Sequence, residues 1–198
     1  MHVNPAIDLD ESPEIGLLHL FNALNGNLLV VAFDVRWELG DYTQVMGMLL
    51  TRPPEVLNWH GVPLSVYQVT RSGVRPYAKG LGPRLYEYAM LVISEQDPTG
   101  VLKPDAADTL SADAQRVWRE FDRRGWGLGD DLYAYHGAPH LTSQLLTAQS
   151  RGEQHASSLA EPERFFWSKA LDTYSVAAES RRANPIELRR IKNRLLRE

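Results

Sequence analysis

The stretch from Arg75 to Tyr86 has the residue types of an anion-binding loop. It reads Arg-Pro-Tyr-Ala-Lys-Gly-Leu-Gly-Pro-Arg-Leu-Tyr, with three basic side chains around two closely spaced glycines. A predicted strand precedes it and a predicted helix follows, so backbone N–H groups and the positive end of a helix dipole would face an anion. Because Gly80 and Gly82 lack side chains, a pyrophosphate could approach the backbone closely. A tight turn without a ligand explains the same residues equally well.

Several better-known motifs are absent from the sequence. There is no GxxxxGK[ST], which excludes a Walker A nucleotide site. Leu85 stands where a third glycine would complete the Rossmann spacing. There is also no GxSxG nucleophile elbow and no HExxH zinc motif. The lack of cysteine excludes thiolate nucleophiles, disulfides, cysteine-based zinc sites and iron–sulfur clusters.

Periodicity and capping signals predict that the chain opens with a helix and continues with strands. Ser12 and Pro13 are typical of an N-cap and a first helical residue, and an apolar series follows as far as Leu24, before Asn25-Gly26. Runs rich in β-forming residues then predict strands at 27–37, 42–51 and 63–70.

Beyond the glycine loop the sequence predicts alternating helices and strands, followed by helices only. It predicts a helix at 81–94, a short strand at 101–102, a helix at 111–124 and a strand at 132–135. Ser111 is expected to be the N-cap of its helix, and Tyr88 and Trp118 are expected in the core. Further helices are predicted at 140–150, 162–182 and 185–197. We place a domain boundary near residue 138, which divides a domain of residues 1–138 from a helical C-terminal extension, 139–198.

Length and composition indicate one soluble globular domain with an appendage. The chain has 198 residues, of which 43% are hydrophobic and 23% charged. No apolar run approaches the roughly 18 residues of a membrane span. Residues 1–16 hold four acids and no Lys or Arg, unlike a secretory signal. We therefore expect a cytoplasmic protein that makes no membrane contact.

The charge is distributed unevenly along the chain. Residues 181–198 contain seven basic and two acidic residues, a net +5, which leaves −9 on the remainder of a chain whose total is −4. An acidic body does not favour a protein that coats nucleic acid. The segment 184–198, which contains the predicted helix at 185–197, could contact nucleic acid or an acidic protein. Its apolar stripe of Leu188, Ile191 and Leu195 favours packing against the body or a second subunit in a homodimer.

The order of strands, glycine loop, helix, short strand and second helix resembles the GCN5-related N-acetyltransferase (GNAT) family. The resemblance is sharpest over residues 64–124. Lys79-Gly-Leu-Gly-Pro-Arg-Leu-Tyr-Glu-Tyr-Ala-Met90 is similar to that family's acyl-CoA pyrophosphate loop and helix. Pro104-Asp105 with Leu110-Ser-Ala-Asp-Ala-Gln-Arg-Val-Trp118 is similar to a block in small, mostly phage-encoded acetyltransferase-like proteins. The implied fold is α/β, with a GNAT-like mixed, mostly antiparallel sheet flanked by helices.

This resemblance implies an N-acyltransferase that moves an acetyl or other acyl group from acyl-CoA to an amine acceptor that the sequence does not identify. In that family the strand before the loop and the short strand after its helix splay apart around the pantetheine arm, and the amine attacks the thioester directly. Asp105 would then serve as a base or hold the amine, although it could equally cap a turn, and Tyr86 would protonate the leaving thiolate. No metal is implied. The implied cofactor contacts are Val69, Arg75, Lys79, Gly80, Leu81, Gly82 and Arg84.

Departures from the family pattern leave other functions open. Tyr77 stands where the family usually has Gln or Arg, a position for which Arg75 could substitute. Ala78 stands where the family often has Gly, and Pro83 has no N–H to donate. One alternative is a relative without catalysis that acts as a phage binding module, structural or in host takeover. Another is acyl or aminoacyl transfer to a modified DNA base, against which the acidic body argues. His136 and His140 do not share a helical face, so a metal pair is not expected.

Overall fold

An open, mostly antiparallel sheet forms the centre of the molecule. The structure, a computed structural model of the chain, describes residues 6–9, 14–37, 39, 45–106, 110–170 and 173. The strand order is β1-β2-β3-β5-β6-β8-β7, with β4 paired to β5, and only β5 and β6 run parallel. The strands are β1 Ile15–Phe21, β2 Leu28–Asp34, β3 Val45–Thr51, β4 Glu55–Trp59, β5 Val62–Val74, β6 Gly100–Lys103, β7 Gly127–Gly129 and β8 Leu132–Tyr133.

Helices cover both faces of this sheet. Three are fully bounded: α1 Leu81–Gln96, α2 Ala112–Arg123 and α3 Pro139–Ala156; a fourth helical stretch is described over 162–170. Residues of α1, α2 and α3 share one core cluster with alternate residues of β2. On the other face the stretch 162–170 contributes Phe166, whose ring centroid lies 5.1 Å from that of Phe33. Strand β2 is buried along its whole length because both of its faces are covered.

The predicted helix at 12–24 is wrong, since residues 15–21 form strand β1. β1 pairs antiparallel with β2, from Ile15 opposite Asp34 to Phe21 opposite Leu28. Leu17 packs into the core cluster of one face and Leu18 into that of the other. A strand buried on both faces needs consecutive apolar residues. Over so short a run, that pattern cannot be distinguished from the apolar stripe of a helix. Ser12 and Pro13 lie outside the described residues.

Most other predicted elements are present with adjusted bounds. The three strands predicted at 27–37, 42–51 and 63–70 correspond to β2, β3 and β5, although β5 runs on to Val74. Helix α3 is longer than predicted and buries Leu141, Leu145 and Ala148 in the main core. The boundary near residue 138 stays a prediction, but the helix that follows it packs on the sheet. The predicted helix at 185–197 lies outside the described residues.

Strand β4 was not predicted. It forms a hairpin with β5 through the two-residue turn His60-Gly61, where both residues have positive φ, 48° and 85°. These values are typical of the type I′ turn that favours tight hairpins. None of the helices in the described parts of the chain is both long and apolar enough to traverse a lipid bilayer.

Candidate functional site

The β5–α1–β6 unit places the glycine loop at one edge of the sheet. β5 and β6 are parallel, and α1 is the connection between them. The carboxyl ends of these strands therefore meet at the same edge, where the N-terminus of α1 also lies. Ligands of open α/β sheets commonly bind outside the carboxyl ends of parallel strands.

β5 and β6 pair along only part of their lengths. Their register runs from Ser65 opposite Gly100 to Gln68 opposite Lys103. β5 continues beyond Gln68 to Val74 and pairs there with β3 on its other edge. Among the described residues no strand occupies the β6 side of β5 past this point. Among the described residues, β6 thus stops short of the part of β5 that leads into the glycine loop.

A β-bulge lies where β5 and β6 part. The register between β3 and β5 shifts between Leu50 and Thr51, so β5 holds one extra residue, Thr70. The Thr70 hydroxyl donates to the Leu50 carbonyl oxygen at 3.2 Å. Bulges bend a strand and redirect the groups beside them. Val69 therefore lies both past the paired segment and next to a local change of direction.

The glycine loop forms a tight turn that begins α1. Gly80 is the N-cap and has φ of 89°, which strongly favours glycine. The N–H of Leu81 donates to the Ala78 carbonyl at 3.3 Å, and Pro83 has no N–H. Of the first three helical residues, Gly82 alone keeps an N–H with no acceptor among the described residues. The helix start thus offers an anion fewer donors than a loop without proline would.

The three basic residues predicted around the loop differ in their surroundings. Lys79 is exposed. Arg75 is buried, and its Nε donates to the carbonyl oxygen of Val45 at 2.7 Å. Arg84 is engaged by its Nε with the carbonyl oxygen of Ile7 at 2.9 Å. Of the three, only Lys79 is presented to solvent beside the loop.

A buried carboxylate explains the position of Arg84. Glu87 is only 2% exposed and lies between two guanidinium groups, with its oxygens 2.7 Å from Arg84 Nη1 and 2.6 Å from Arg124 Nη1. Arg124 also lies over the Trp126 ring, 4.1 Å from its centroid. Charge-assisted hydrogen bonds of this kind satisfy buried charges. Sequence analysis missed this network, for which the one signal was a Glu within the apolar run of α1.

The two predicted catalytic residues lie in different settings. Tyr86 is buried, and its hydroxyl is 2.7 Å from the Ser72 hydroxyl on β5. Asp105 follows β6, is half-buried and accepts a hydrogen bond from the Ala106 N–H at 2.8 Å. No hydrogen bond joins the Tyr86 and Asp105 side chains in the part of the chain described. Ser72 was missed by sequence analysis because a lone serine in a strand carries no motif.

A buried donor lies close to Tyr86. The ring of Trp118 packs edge-on against Tyr86 with a centroid distance of 4.9 Å, and against Tyr133 at 4.6 Å. Its position in the core is confirmed, but its buried indole N–H has no acceptor among the described residues. Such a donor is normally satisfied by protein, water or ligand.

Two further predictions from sequence are confirmed by contacts. Ser111 is the N-cap of α2, since its hydroxyl oxygen accepts from the Ala114 N–H at 3.2 Å. Tyr88 is fully buried, and its hydroxyl lies 2.8 Å from Nδ1 of His19 on β1. Burial lowers the pKa of His19, against a smaller opposing effect of Glu153. Burial, together with Glu153 and Glu95, raises the pKa of Tyr88.

The assembled site combines the point where β5 and β6 part, a helix start whose Gly82 N–H has no acceptor among the described residues, and hydroxyl groups on β5 and α1. It could hold an extended chain that carries amide groups, with an anion at one end. The described residues contain no cluster of three or more His, Asp or Glu side chains suited to a metal ion. Comparison with protein families, curated proteins and solved structures found no match for this chain. Function therefore rests on the geometry of the site.

Proposed function

We propose that this chain is an N-acyltransferase that uses acetyl-CoA or another acyl-CoA as donor and an amine as acceptor. The observation that carries the proposal is that β5 and β6 part after Gln68, at the edge of the sheet where the glycine-initiated helix α1 begins. A sheet with one parallel pair, joined by the helix that starts at the glycine loop, also supports a GNAT-like fold. Because acyl-CoA is an intracellular donor, the proposed activity belongs in the cytoplasm, that of a bacterial host if the chain is phage-encoded.

The donor would bind in two parts. The pantetheine arm contains amides that can pair, as an added strand does, with the backbone of β5 near Val69, where β6 no longer runs alongside. The pyrophosphate would lie at Gly80, Leu81 and Gly82, near the Lys79 ammonium and the positive end of the α1 dipole. Arg75 and Arg84 are held inside the protein and would support the loop rather than contact phosphate.

The chemistry is a direct transfer between bound groups. The amine nitrogen attacks the thioester carbonyl carbon, the C–S bond breaks, and the acyl group becomes an amide. The amine loses one proton, which Asp105 would accept, and the thiolate gains one, which the Tyr86 hydroxyl would donate. The remaining contribution of the protein is to hold amine and thioester in contact. The acceptor stays unassigned, and residues 184–198 are a possible contact for it.

Calorimetric titration of the full chain with CoA and acetyl-CoA tests the binding step. At Gly82 a Cβ would make ordinary contact with Val74 Cγ2 at 3.8 Å, so Gly82→Trp adds bulk at the loop without forcing the backbone. Leu146→Trp, on the exposed side of α3, is the control for added bulk. We expect the parent and Leu146→Trp to bind and Gly82→Trp not to bind. A folded parent that shows no heat at millimolar CoA would refute the proposal.

A specific observation favours one alternative, a GNAT-like binding module without catalysis. Two of the three basic residues near the loop are engaged internally, and Pro83 removes one donor from the helix start. Under this alternative the loop is a structural turn and CoA does not bind. The same titration therefore separates the two functions.

A further inference from the structure

One buried hydrogen-bond donor at the candidate site has no acceptor. Trp118 on α2 is 4% exposed, and its indole Nε1 has no hydrogen-bond partner among the described residues. The other buried side-chain atoms of this kind in the described parts of the chain are oxygens of Glu14, Asn27 and Gln149, none of which belongs to the site. A buried donor without an acceptor costs free energy, and folded proteins usually satisfy it with protein, water or ligand.

The hydroxyl groups of the neighbouring tyrosines do not provide that acceptor. The Trp118 ring contacts Tyr86 and Tyr133, with centroid distances of 4.9 Å and 4.6 Å. The Tyr86 hydroxyl is 2.7 Å from the Ser72 hydroxyl. Burial, and then a hydrogen bond to Asp122, raise the pKa of Tyr133. Both hydroxyls therefore have partners other than the indole.

The indole lies near the point where β5 and β6 part. Tyr86 links it to β5, because the Tyr86 hydroxyl contacts Ser72, which lies past the segment of β5 that pairs with β6. Tyr133 links it to β6, since Tyr133 of β8 pairs with Leu102. Trp118 thus connects β5 beyond the parting point with β6 just before it, on the side of the sheet that carries α1.

We propose that the indole N–H of Trp118 donates a hydrogen bond to the carbonyl oxygen of the acyl thioester, an inference that rests on the proposed acyltransferase function. In that function the Tyr86 hydroxyl protonates the leaving sulfur, to which the carbonyl carbon is bonded. The carbonyl oxygen therefore lies close to Tyr86, against which the Trp118 ring packs. An indole N–H is a donor only and keeps its proton, so it suits an acceptor oxygen.

The same hydrogen bond stabilises the transition state of the transfer. As the amine nitrogen attacks the carbonyl carbon, an electron pair of the C=O bond moves to the oxygen, which gains negative charge. The pair returns when the C–S bond breaks, and the thiolate takes its proton from Tyr86, so the indole proton is not transferred. A donor fixed in place away from water stabilises this charge without reorganisation. Trp118 is thereby assigned a catalytic role beside Tyr86 and Asp105.

Two ligands that differ only at the acyl carbonyl test the assignment, acetyl-CoA and its thioether analogue S-ethyl-CoA. Calorimetric titration of the full chain measures the Kd of each. Trp118→Phe keeps an aromatic ring and removes the donor, so it should weaken acetyl-CoA about two- to tenfold and leave S-ethyl-CoA unchanged. Trp126→Phe is the matched control, since Trp126 is also buried but packs on Phe121 and Arg124. It should leave the preference for acetyl-CoA unchanged.

The indole N–H itself provides a second measurement by nuclear magnetic resonance. The Trp118 signal is identified among those of the five tryptophans by its loss in Trp118→Phe. A hydrogen bond to a carbonyl oxygen moves the proton resonance downfield. Acetyl-CoA should therefore shift this signal further downfield than S-ethyl-CoA does, whereas a role in packing alone predicts equal shifts.

The two measurements separate this inference from the proposed function. A parent that binds both ligands but shows equal shifts of the Trp118 signal overturns the inference and leaves the function standing, with a water molecule or a pantetheine amide oxygen as the acceptor. Equal weakening of both ligands by Trp118→Phe also overturns it, because the ring then acts only through packing. A folded parent that binds neither ligand refutes the acyltransferase and this inference together. Circular dichroism shows that each variant is folded.

Discussion

Gly152 of α3 lies directly against Gly16 of β1. A Cβ on Gly16 would be 3.0 Å from the Cα of Gly152, and a Cβ on Gly152 would overlap the carbonyl group of Leu17. Two glycines therefore let a helix approach a strand at backbone distance. This contact holds α3 against the edge strand β1, and α3 contributes Leu145 to the core cluster that contains α1 and Ala156 to the opposite one.

Gly152→Ala should lower the free energy of unfolding by about 1–3 kcal/mol, because the new methyl group meets backbone that cannot move aside. In an unhindered helix the same change raises stability by about 1 kcal/mol, so the sign of the effect is diagnostic. Chemical denaturation measures it, with Ser150→Ala on the exposed side of α3 as control. An increase in stability for Gly152→Ala would contradict the close approach.

Glu87→Gln should cost about 3–5 kcal/mol, the usual cost of removing one partner from a buried ion pair. The loss follows from removing the buried counter-charge shared by two partly buried guanidinium groups, those of Arg84 and Arg124. Glu120→Gln is the matched control, since Glu120 contacts the exposed Arg123 at 2.6 Å. That surface pair should contribute at most about 1 kcal/mol. Equal losses in the two variants would show that Glu87 is not an interior counter-charge.

Mild acidification should lower the free energy of unfolding, because His19 is protonated more readily in the unfolded chain. Its pKa in the folded protein is held below the ordinary 6.5, chiefly by burial. The unfolded chain then binds a proton more readily, so the stability present above pH 6.5 is lost as the pH falls from there through the folded pKa. His19→Gln should show a shallower decline between neutral and mildly acidic pH. Identical pH profiles of unfolding free energy for the two proteins would assign the decline to other groups.

Ser111→Ala should lower stability by about 1 kcal/mol through loss of the cap on the Ala114 N–H. Ser111→Asp should restore most of it, because a carboxylate accepts the same hydrogen bond and suits the positive end of α2. Thermal unfolding of the three proteins makes the comparison. If Ser111→Asp is as unstable as Ser111→Ala, the serine acts through something other than capping.

Features that depend on neighbours in sequence were predictable. The N-cap of α2 at Ser111, the start of α1 after Gly80 and the strands β2, β3 and β5 follow from local capping, turn chemistry and periodicity. These signals act within a few residues, so no knowledge of distant parts of the chain is needed.

Features that depend on distant partners were decided only by the tertiary structure. Residues 15–21 became a strand because β2 satisfied their backbone and both faces were covered, which no local pattern reveals. The same holds for the candidate site: the sequence showed three basic residues near the glycine loop, but Glu87 and the carbonyls of Ile7 and Val45 engage two of them. The sequence by itself determined the loop and its helix. Which charges remain available to a ligand, and where β5 and β6 part, depended on long-range packing, because hydrogen bonding to distant groups removes donors that look free in the sequence.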